Sequence, residues 1–288
     1  MTDRERILVT VKTYPELSSK YGETVCTAGI REDGTWVRLY PVPFRRLGEG
    51  EQYKLYDWIE CPLIKHSADP RPESHRPTGE IEWISHVGTS DDWRERRELL
   101  LRRARVYRRL DELIRAAQDD GVSLAIFKPA RVIDFGWEMA DREWDPARLE
   151  AARAIVSQRD LFDEESWHRT FQVVDKVPYN FHYRIEDADG KRSRMRVLEW
   201  QLGALYRNCV RLTNGDEAEA LAKVRQKYFD QFRESDLHLF LGTTLAWHKR
   251  APNPWTIVGV LPVPHERQTN LFATQAPDAT GGHRTEAE

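Results

Sequence analysis

The chain has 288 residues, 40% hydrophobic and 32% charged, with 47 acidic against 44 basic side chains and a net charge of −3. That is enough apolar material for one large domain or two smaller ones around a real core, and too much for a chain disordered in bulk. No run approaches the ~18 continuous apolar residues of a membrane helix and residues 1–6 lack a signal-peptide core, so no membrane partner is expected and the cytoplasm is the expected location.

The β-branched run from Ile7 to Val11 predicts a strand, ended by Pro15. Residues 16–29 read as a short helix with a serine cap and Gly29 as its stop, or as a second strand; the helix is preferred. Asp33-Gly34 is a hairpin turn, after which Thr35 to Tyr40 alternate and put Trp36, Arg38 and Tyr40 on one face. A further strand begins at Tyr56 and runs toward Ile64. Pro70, Pro72 and Pro77 exclude helix and central strand from residues 69–77, which leaves an extended loop.

Next comes the densest charge in the chain. Ser90-Asp91-Asp92 offers caps and first-turn acids. Apolar positions from Trp93 to Ala117 then recur on one arc, so a single long helix is predicted, stopped at Gly121. Between Arg94 and Arg109 it carries eight arginines and two glutamates. At ~1.5 Å per residue, Arg94 to Arg115 spans roughly 33 Å, about one turn of duplex DNA. A guanidinium stripe of that length either follows a phosphate backbone or pairs with the protein's own acids.

Strands follow at 123–128 and 131–135, then a helix opened by Asp145-Pro146 and running to Gln158. Strands at 170–174, 179–185 and 194–197, helices at 199–208 and 216–233, and paired strands at 237–242 and 255–261 complete the body. Without regular β-α-β spacing the class is α+β: a mixed, mainly antiparallel sheet or partial barrel with packed helices. The expected organisation is a β-rich part at 1–90, an α+β part at 91–262 sharing an interface with it, and a disordered tail at 263–288.

Four groups of residues have the chemistry of a site. Lys12, Thr13, Ser18, Ser19 and Lys20 surround the predicted helix start and suit either a phosphate or a simple cap. The proline-stiffened loop holds Asp69, Arg71, Glu73, Ser74 and His75, both signs of charge and an imidazole. Lys176, Tyr179, His182, Arg184 and Arg196 lie on or near one hairpin. His238 and His248 lack ligand spacing, and Cys26, Cys61 and Cys209 are too far apart for a disulfide framework or a cysteine zinc site, so no metal is assigned. Walker, Gly-x-Ser-x-Gly and His-Glu-x-x-His patterns are missing, so neither a cofactor nor a catalytic residue is assigned. Ten scattered tryptophans suggest packing anchors, some of them platforms for stacked bases.

Lys20-Tyr21-Gly22-Glu23-Thr24-Val25-Cys26-Thr27-Ala28-Gly29-Ile30, Trp36-Val37-Arg38-Leu39-Tyr40-Pro41, Asp69-Pro70-Arg71-Pro72-Glu73-Ser74, Lys176-Val177-Pro178-Tyr179 and Phe240-Leu241-Gly242-Thr243 together resemble an uncharacterised prokaryotic family of similar length, over roughly residues 7–262. The resemblance implies one bacterial-type cytoplasmic unit and no particular activity, cofactor or residue role.

The expected function is association with nucleic acid, DNA or RNA. In it Arg94, Arg97, Arg102, Arg105 and Arg109 contact phosphates while Lys12, Lys20, Arg71 and Arg76 extend the basic surface. One alternative is an enzyme acting on a nucleotide or phosphorylated small molecule through Asp69, Glu73, His75, Lys176 and His182, which requires a deep pocket. The other is an interaction subunit for an acidic protein partner, which requires an exposed apolar strip beside the arginines. Oligomeric state is not legible.

Overall fold

In the computed structural model, which describes residues 4–18, 20–42, 44–47, 52–160 and 173–265, the strand expected at 7–11 becomes β1 (Arg4–Lys12). It pairs with β3 (Gly22–Ile30) on one side and β5 (Asp57–Lys65) on the other. From β3 the sheet continues to β4 (Trp36–Val42), then in parallel to β6 (Ser74–Pro77), and back to β5, closing a five-stranded barrel. β2 (Glu16–Ser18) extends β3, and β7 (Glu82–His86) extends β5. Ile7, Val9, Val25, Val37, Leu39 and Ile59 form the barrel's own core, each apolar side chain contributing ~1.5–3 kcal/mol by leaving water.

A bulge sets what β1 presents. Val9 pairs with Gly29 and Val11 with Ala28, so Thr10 is an extra residue and the alternation slips by one. Val11 therefore joins Leu8 in the core outside the barrel, while Lys12 turns toward Phe44 and Tyr53 of the barrel cluster.

That outer face packs on a second sheet. β8 (Val106–Tyr107), β9 (Leu124–Phe127), β13 (Asp236–Thr243) and β14 (Trp255–Val263) run in the order β14-β13-β9-β8. Leu8, Ala28 and Ile30 share one core with Ile126, Phe240 and Val258. A meander of β10 (Arg131–Met139), β11 (Tyr179–Glu186) and β12 (Arg192–Arg196) packs with α4 (Trp200–Leu212) and α5 (Glu217–Arg225) into the largest core cluster. The bridges Thr13 to Glu199 and Val197 to Ile257 join this layer to the other two. The α+β class with a partial barrel is what the chain adopts.

Several expectations are corrected. Residues 16–29 form the β2–β3 hairpin and not a helix, because Thr24, Val25 and Thr27 are β-branched and the strand is buried on both faces. Ser18 accepts the amides of Lys20 and Tyr21 in a turn before Gly22, whose φ is +81°. Within 69–77, Ser74–Pro77 is a strand inside the barrel; it is short enough that Pro77 falls at its end.

The single basic helix is also broken. In α1 (Ser90–Arg97) Asp91, Asp92 and Trp93 have left-handed backbones, and Thr89 makes no side-chain cap. A π turn at Glu98–Arg102 follows, which lets the adjacent Leu99 and Leu100 both be buried. The chain then extends as β8 and restarts as α2 (Leu110–Gln118), whose first amide is bound by Asp187 at 2.8 Å. The helix expected from Asp145 is α3 (Pro146–Asp160). Of the strand expected at 170–174 only Val173 and Val174 are described, and they are not strand; residues 266–288 of the expected tail lie outside the described residues.

Gly203 of α4 faces Tyr14 so closely that a Cβ would lie 2.3 Å from the ring. Alanine there adds ~1 kcal/mol of helix propensity but forces the ring away, at ~1–3 kcal/mol or more. Gly203→Ala is expected to lower the urea midpoint with an unchanged slope. A higher midpoint would show that Tyr14 does not rest on this helix.

Candidate functional site

Between the barrel, the second sheet and the meander lies a cavity of about 940 Å³, within the range of small-molecule sites. Alternate residues of three adjacent barrel strands face it: Val11 and Thr13, Cys26 and Ala28, Arg38 and Tyr40. The shared face expected for Arg38 and Tyr40 is thus a cavity wall, and Trp36 on the same face meets Phe240 edge-on at 6.0 Å. Across from it stand Gly242, Thr243 and Thr244, with Leu198, Glu199 and Leu202 of the α4 segment. Exposed lining residues such as Asp141, Arg148, Arg196 and Leu245 surround the opening.

Arg38 is only 2% exposed. Its Nη1 donates to Ser123 Oγ at 2.7 Å and to Ser74 Oγ at 3.4 Å, and its Nη2 donates to the Ser123 carbonyl at 3.0 Å. Nε and the second Nη2 hydrogen have no protein partner among the described residues, and no carboxylate lies in ion-pair range. Glu73 stands one bond further out, accepting Ser123 N at 2.9 Å and Oγ at 2.6 Å. Beside it Asp69 accepts from Arg71 Nη2 at 2.6 Å and from Ser74 Oγ at 2.7 Å. Burial pushes the Asp69 carboxyl up, but these bonds and the Arg71 charge outweigh it and hold the group below the usual carboxylate range. Arg71 also donates to the Thr243 carbonyl.

Two buried polar atoms of the wall, His66 Nδ1 and Thr244 Oγ1, have no hydrogen-bond partner. Such atoms are rare away from ligand or water sites. A third wall group, Glu199, accepts from Tyr228 Oη at 2.7 Å and Val260 N at 3.0 Å. Burial pushes its pKa up to about 7 against those two bonds, a value suited to holding or releasing a proton near neutrality.

The residues expected from the sequence are dispersed. Asp69 and Arg71 line the cavity, and Glu73 backs Arg38 through Ser123. His75 is turned onto the Glu73 carbonyl at 2.8 Å, and Arg76 is exposed on β6. Lys176, Tyr179 and Arg196 line the wall, whereas His182 lies outside it, 3.1 Å from Arg194.

Lys12 is corrected from a phosphate ligand to a buried cation. Its Nζ donates to the Tyr53 carbonyl at 3.1 Å and lies 4.1 Å from the Phe44 ring centre, and burial pushes its pKa down to about 8 against the charge of Asp57. Arg71 is likewise buried and claimed by Asp69. Lys20 stays exposed over Tyr21, and Ser19 lies outside the described residues. His238 is buried on the Asp236 carbonyl and His248 on Thr243. No cluster of three or more potential metal ligands occurs among the described residues.

The arginine segment is heavily paired. Arg94 meets Asp91, Arg102 meets Glu98, Arg105 meets Glu112 and Arg109 meets Asp189, with these arginine side chains 61–80% exposed. Arg97 donates to the carbonyls of Asp92 and Pro264, and buried Arg96 to that of Val87. The sequence reading missed Arg38 as a site residue, with Ser123, His66, Thr244 and Glu199. An arginine inside an otherwise apolar alternating strand was the signal for the first of these.

Fold and site define a class: an α+β protein with a five-stranded barrel joined through a shared core to a second half, and a polar cavity at the joint. The chain belongs to the family of the domain of unknown function DUF8757, whose model matches residues 107–276; residues 3–102 match a second domain of unknown function, DUF8758. The resemblance to an uncharacterised family is thereby met. No curated protein matches the chain. Among solved structures, a murine DNA-binding protein bound to double-stranded DNA is similar at 12% identity and a TM-score of 0.26, over 68% of this chain and 74% of that one. A likeness that faint carries no argument here. No helix among the described residues is long and apolar enough to cross a membrane.

The raised Glu199 pKa has a signed consequence. Its proton is held more tightly in the folded state, so stability falls as pH rises from about 4.5 to about 7 and levels off above. Glu199→Gln is expected to lack that fall, so the stability difference between the two proteins changes by up to about 3 kcal/mol across the window. Parallel urea-derived stability curves from pH 4.5 to 7.5 would show that Glu199 titrates normally.

Proposed function

We infer that the cavity binds a nucleotide or another phosphorylated small molecule. The observation that carries this reading is Arg38: a buried guanidinium in a cavity wall, held by serines and a carbonyl and not by a carboxylate, with donors to spare. Burying a charge without a direct counter-ion costs several kcal/mol; a bound anion would offset that cost with charge-assisted bonds. His66 Nδ1 and Thr244 Oγ1 offer further polar contacts to the same occupant. Tyr14, Tyr40 and Trp144 supply ring surface for a flat heterocycle.

Support for the other two readings is thinner. Phosphate contact along one straight rod loses its geometry, because the rod is broken and four of its exposed arginines, Arg94, Arg102, Arg105 and Arg109, have acids beside them. An acidic protein partner was to be met by an apolar strip among those arginines; the large exposed apolar side chains of the described residues all fall outside the segment 94–109.

Calorimetry with nucleoside monophosphates, sugar phosphates and unphosphorylated nucleosides tests the reading. Phosphorylated ligands are expected to bind, and Arg38→Gln to weaken them by about ten- to hundred-fold, the worth of a hydrogen bond to a charged group. Circular dichroism and melting check that the variant folds, and Thr244→Val, nearly isosteric, is expected to cost a few-fold. Equal affinity for nucleosides with and without phosphate would overturn it.

A further inference from the structure

The loop between β13 and β14 has a feature that a closed small-molecule site does not need. Leu245 and Trp247 are 50% and 61% exposed at its tip. The tip is built in advance: the Thr244 carbonyl accepts the amides of Trp247 at 3.2 Å and His248 at 2.9 Å, and the Trp247 carbonyl accepts those of Arg250 and Ala251, each at 3.1 Å. His248 is its buried foot, bonded to Thr243 at 3.0 Å. Thr244 and Leu245 line the cavity, so the loop leaves the opening at Leu245 and carries Trp247 beyond the lining.

The charges nearby differ from the ion-paired members of the arginine segment, Arg94, Arg102, Arg105 and Arg109. Lys249 and Arg250 follow the tip, exposed, and Arg148 and Arg196 lie on the exposed lining. None of the four has a carboxylate in ion-pair range among the described residues. The exposed lining thus carries Arg148 and Arg196 beside the acids Glu16, Asp141, Glu143 and Asp145, while the loop beyond it adds Trp247 and the cations Lys249 and Arg250. A free nucleotide inside would reach Leu245, Arg148 and Arg196 of the lining but not Trp247, Lys249 or Arg250, which lie outside it; a polymer still attached to it would reach further along the loop.

Building on the cavity reading above, we propose that the nucleotide enters as part of a nucleic-acid strand, turned out of the stack into the cavity. Trp247 and Leu245 then cover the bases left behind, and Arg148, Arg196, Lys249 and Arg250 hold the flanking phosphates. Enzymes and readers that reach a single base must unstack it, and an aromatic side chain that stacks in its place offsets that loss. Phosphate contacts by free cations release counterions, so binding falls steeply with salt.

The test uses the full chain and a single-stranded oligonucleotide of about twelve nucleotides with 2-aminopurine at its centre, in DNA and RNA forms, beside the matching mononucleotide and phosphatidylserine vesicles. The strand is expected to bind at least tenfold more tightly than the mononucleotide, to weaken steeply as salt rises, and to change its 2-aminopurine emission on binding. Trp247→Ala, and separately Lys249→Glu with Arg250→Glu, are expected to cut the ratio of strand to mononucleotide affinity about tenfold. Arg38→Gln is expected to weaken both ligands.

A mononucleotide that binds through Arg38 while the strand binds no better overturns the strand proposal and leaves the cavity reading standing. A ratio unmoved by the loop variants overturns it as well, as does capture of the protein by vesicles without any by the strand. If neither nucleotide nor strand binds, the cavity reading falls and takes this proposal with it.

Discussion

A guanidinium shut between two sheets is the constraint around which the rest is arranged. Arg38 leaves the barrel on β4 and ends on Ser123, 85 residues further along the chain, just before β9. Removing an ion from water costs several kcal/mol, and the protein offsets it with neutral oxygens backed by Glu73, not with a direct pair. The network that satisfies the charge is therefore also a joint between the barrel and the second sheet. Arg71 makes a second such link, from Asp69 in the barrel's long loop to the end of β13. Collapsing the cavity would require repacking both arginines, which explains how a space of this size survives beside a dense core.

The position of the cavity follows from side-chain size along one barrel face. At one end of that face Leu8, Ile30 and Trp36 reach across and interlock with Phe240. Toward the other end the same face carries Ala28, Cys26 and Thr13, and the opposing strand supplies Gly242. Small residues on both sides leave room. The bulge at Thr10 turns Val11 and Thr13 onto this face, which Arg38 and Tyr40 reach by plain alternation along β4. Gly203 completes the wall by letting Tyr14 lie flat against α4.

Legibility in the sequence tracked the range of the interactions involved. Strands with β-branched runs, such as β1 and β9, and the helix opened by Asp145-Pro146 were readable because a few neighbouring residues decide them. The β2–β3 segment was misread because its serine and glycines serve a helix cap and a hairpin turn equally well. Tertiary pairing decided between them. The cavity was half visible. Asp69 and Arg71 stood out as a charged, proline-stiffened loop, and Arg38 as one member of an alternating face. What joins them is Ser123, a residue with no local signal, and what leaves His66 and Thr244 unpartnered is the packing of distant elements. A buried glutamate such as Glu199 is equally silent, since its environment comes from Tyr228 and Val260.

The arginine segment shows the same limit for electrostatics. Eight positive side chains in sixteen positions make a strong linear signal, yet potential is set by what surrounds a charge in space. Asp189 reaches Arg109 from 80 residues away, and Glu112 folds back on Arg105 because the chain breaks between them. Exposed pairs of this kind add at most about 1 kcal/mol each, so they do not hold the segment together; Leu99, Leu100 and the stacking of Arg96 on Tyr56 do that. What the pairs accomplish is local neutralisation. Arg103 and Arg108 of the segment have no acid in ion-pair range among the described residues, and neither have Arg148 and Arg196 of the cavity lining, where no run in the sequence marked them.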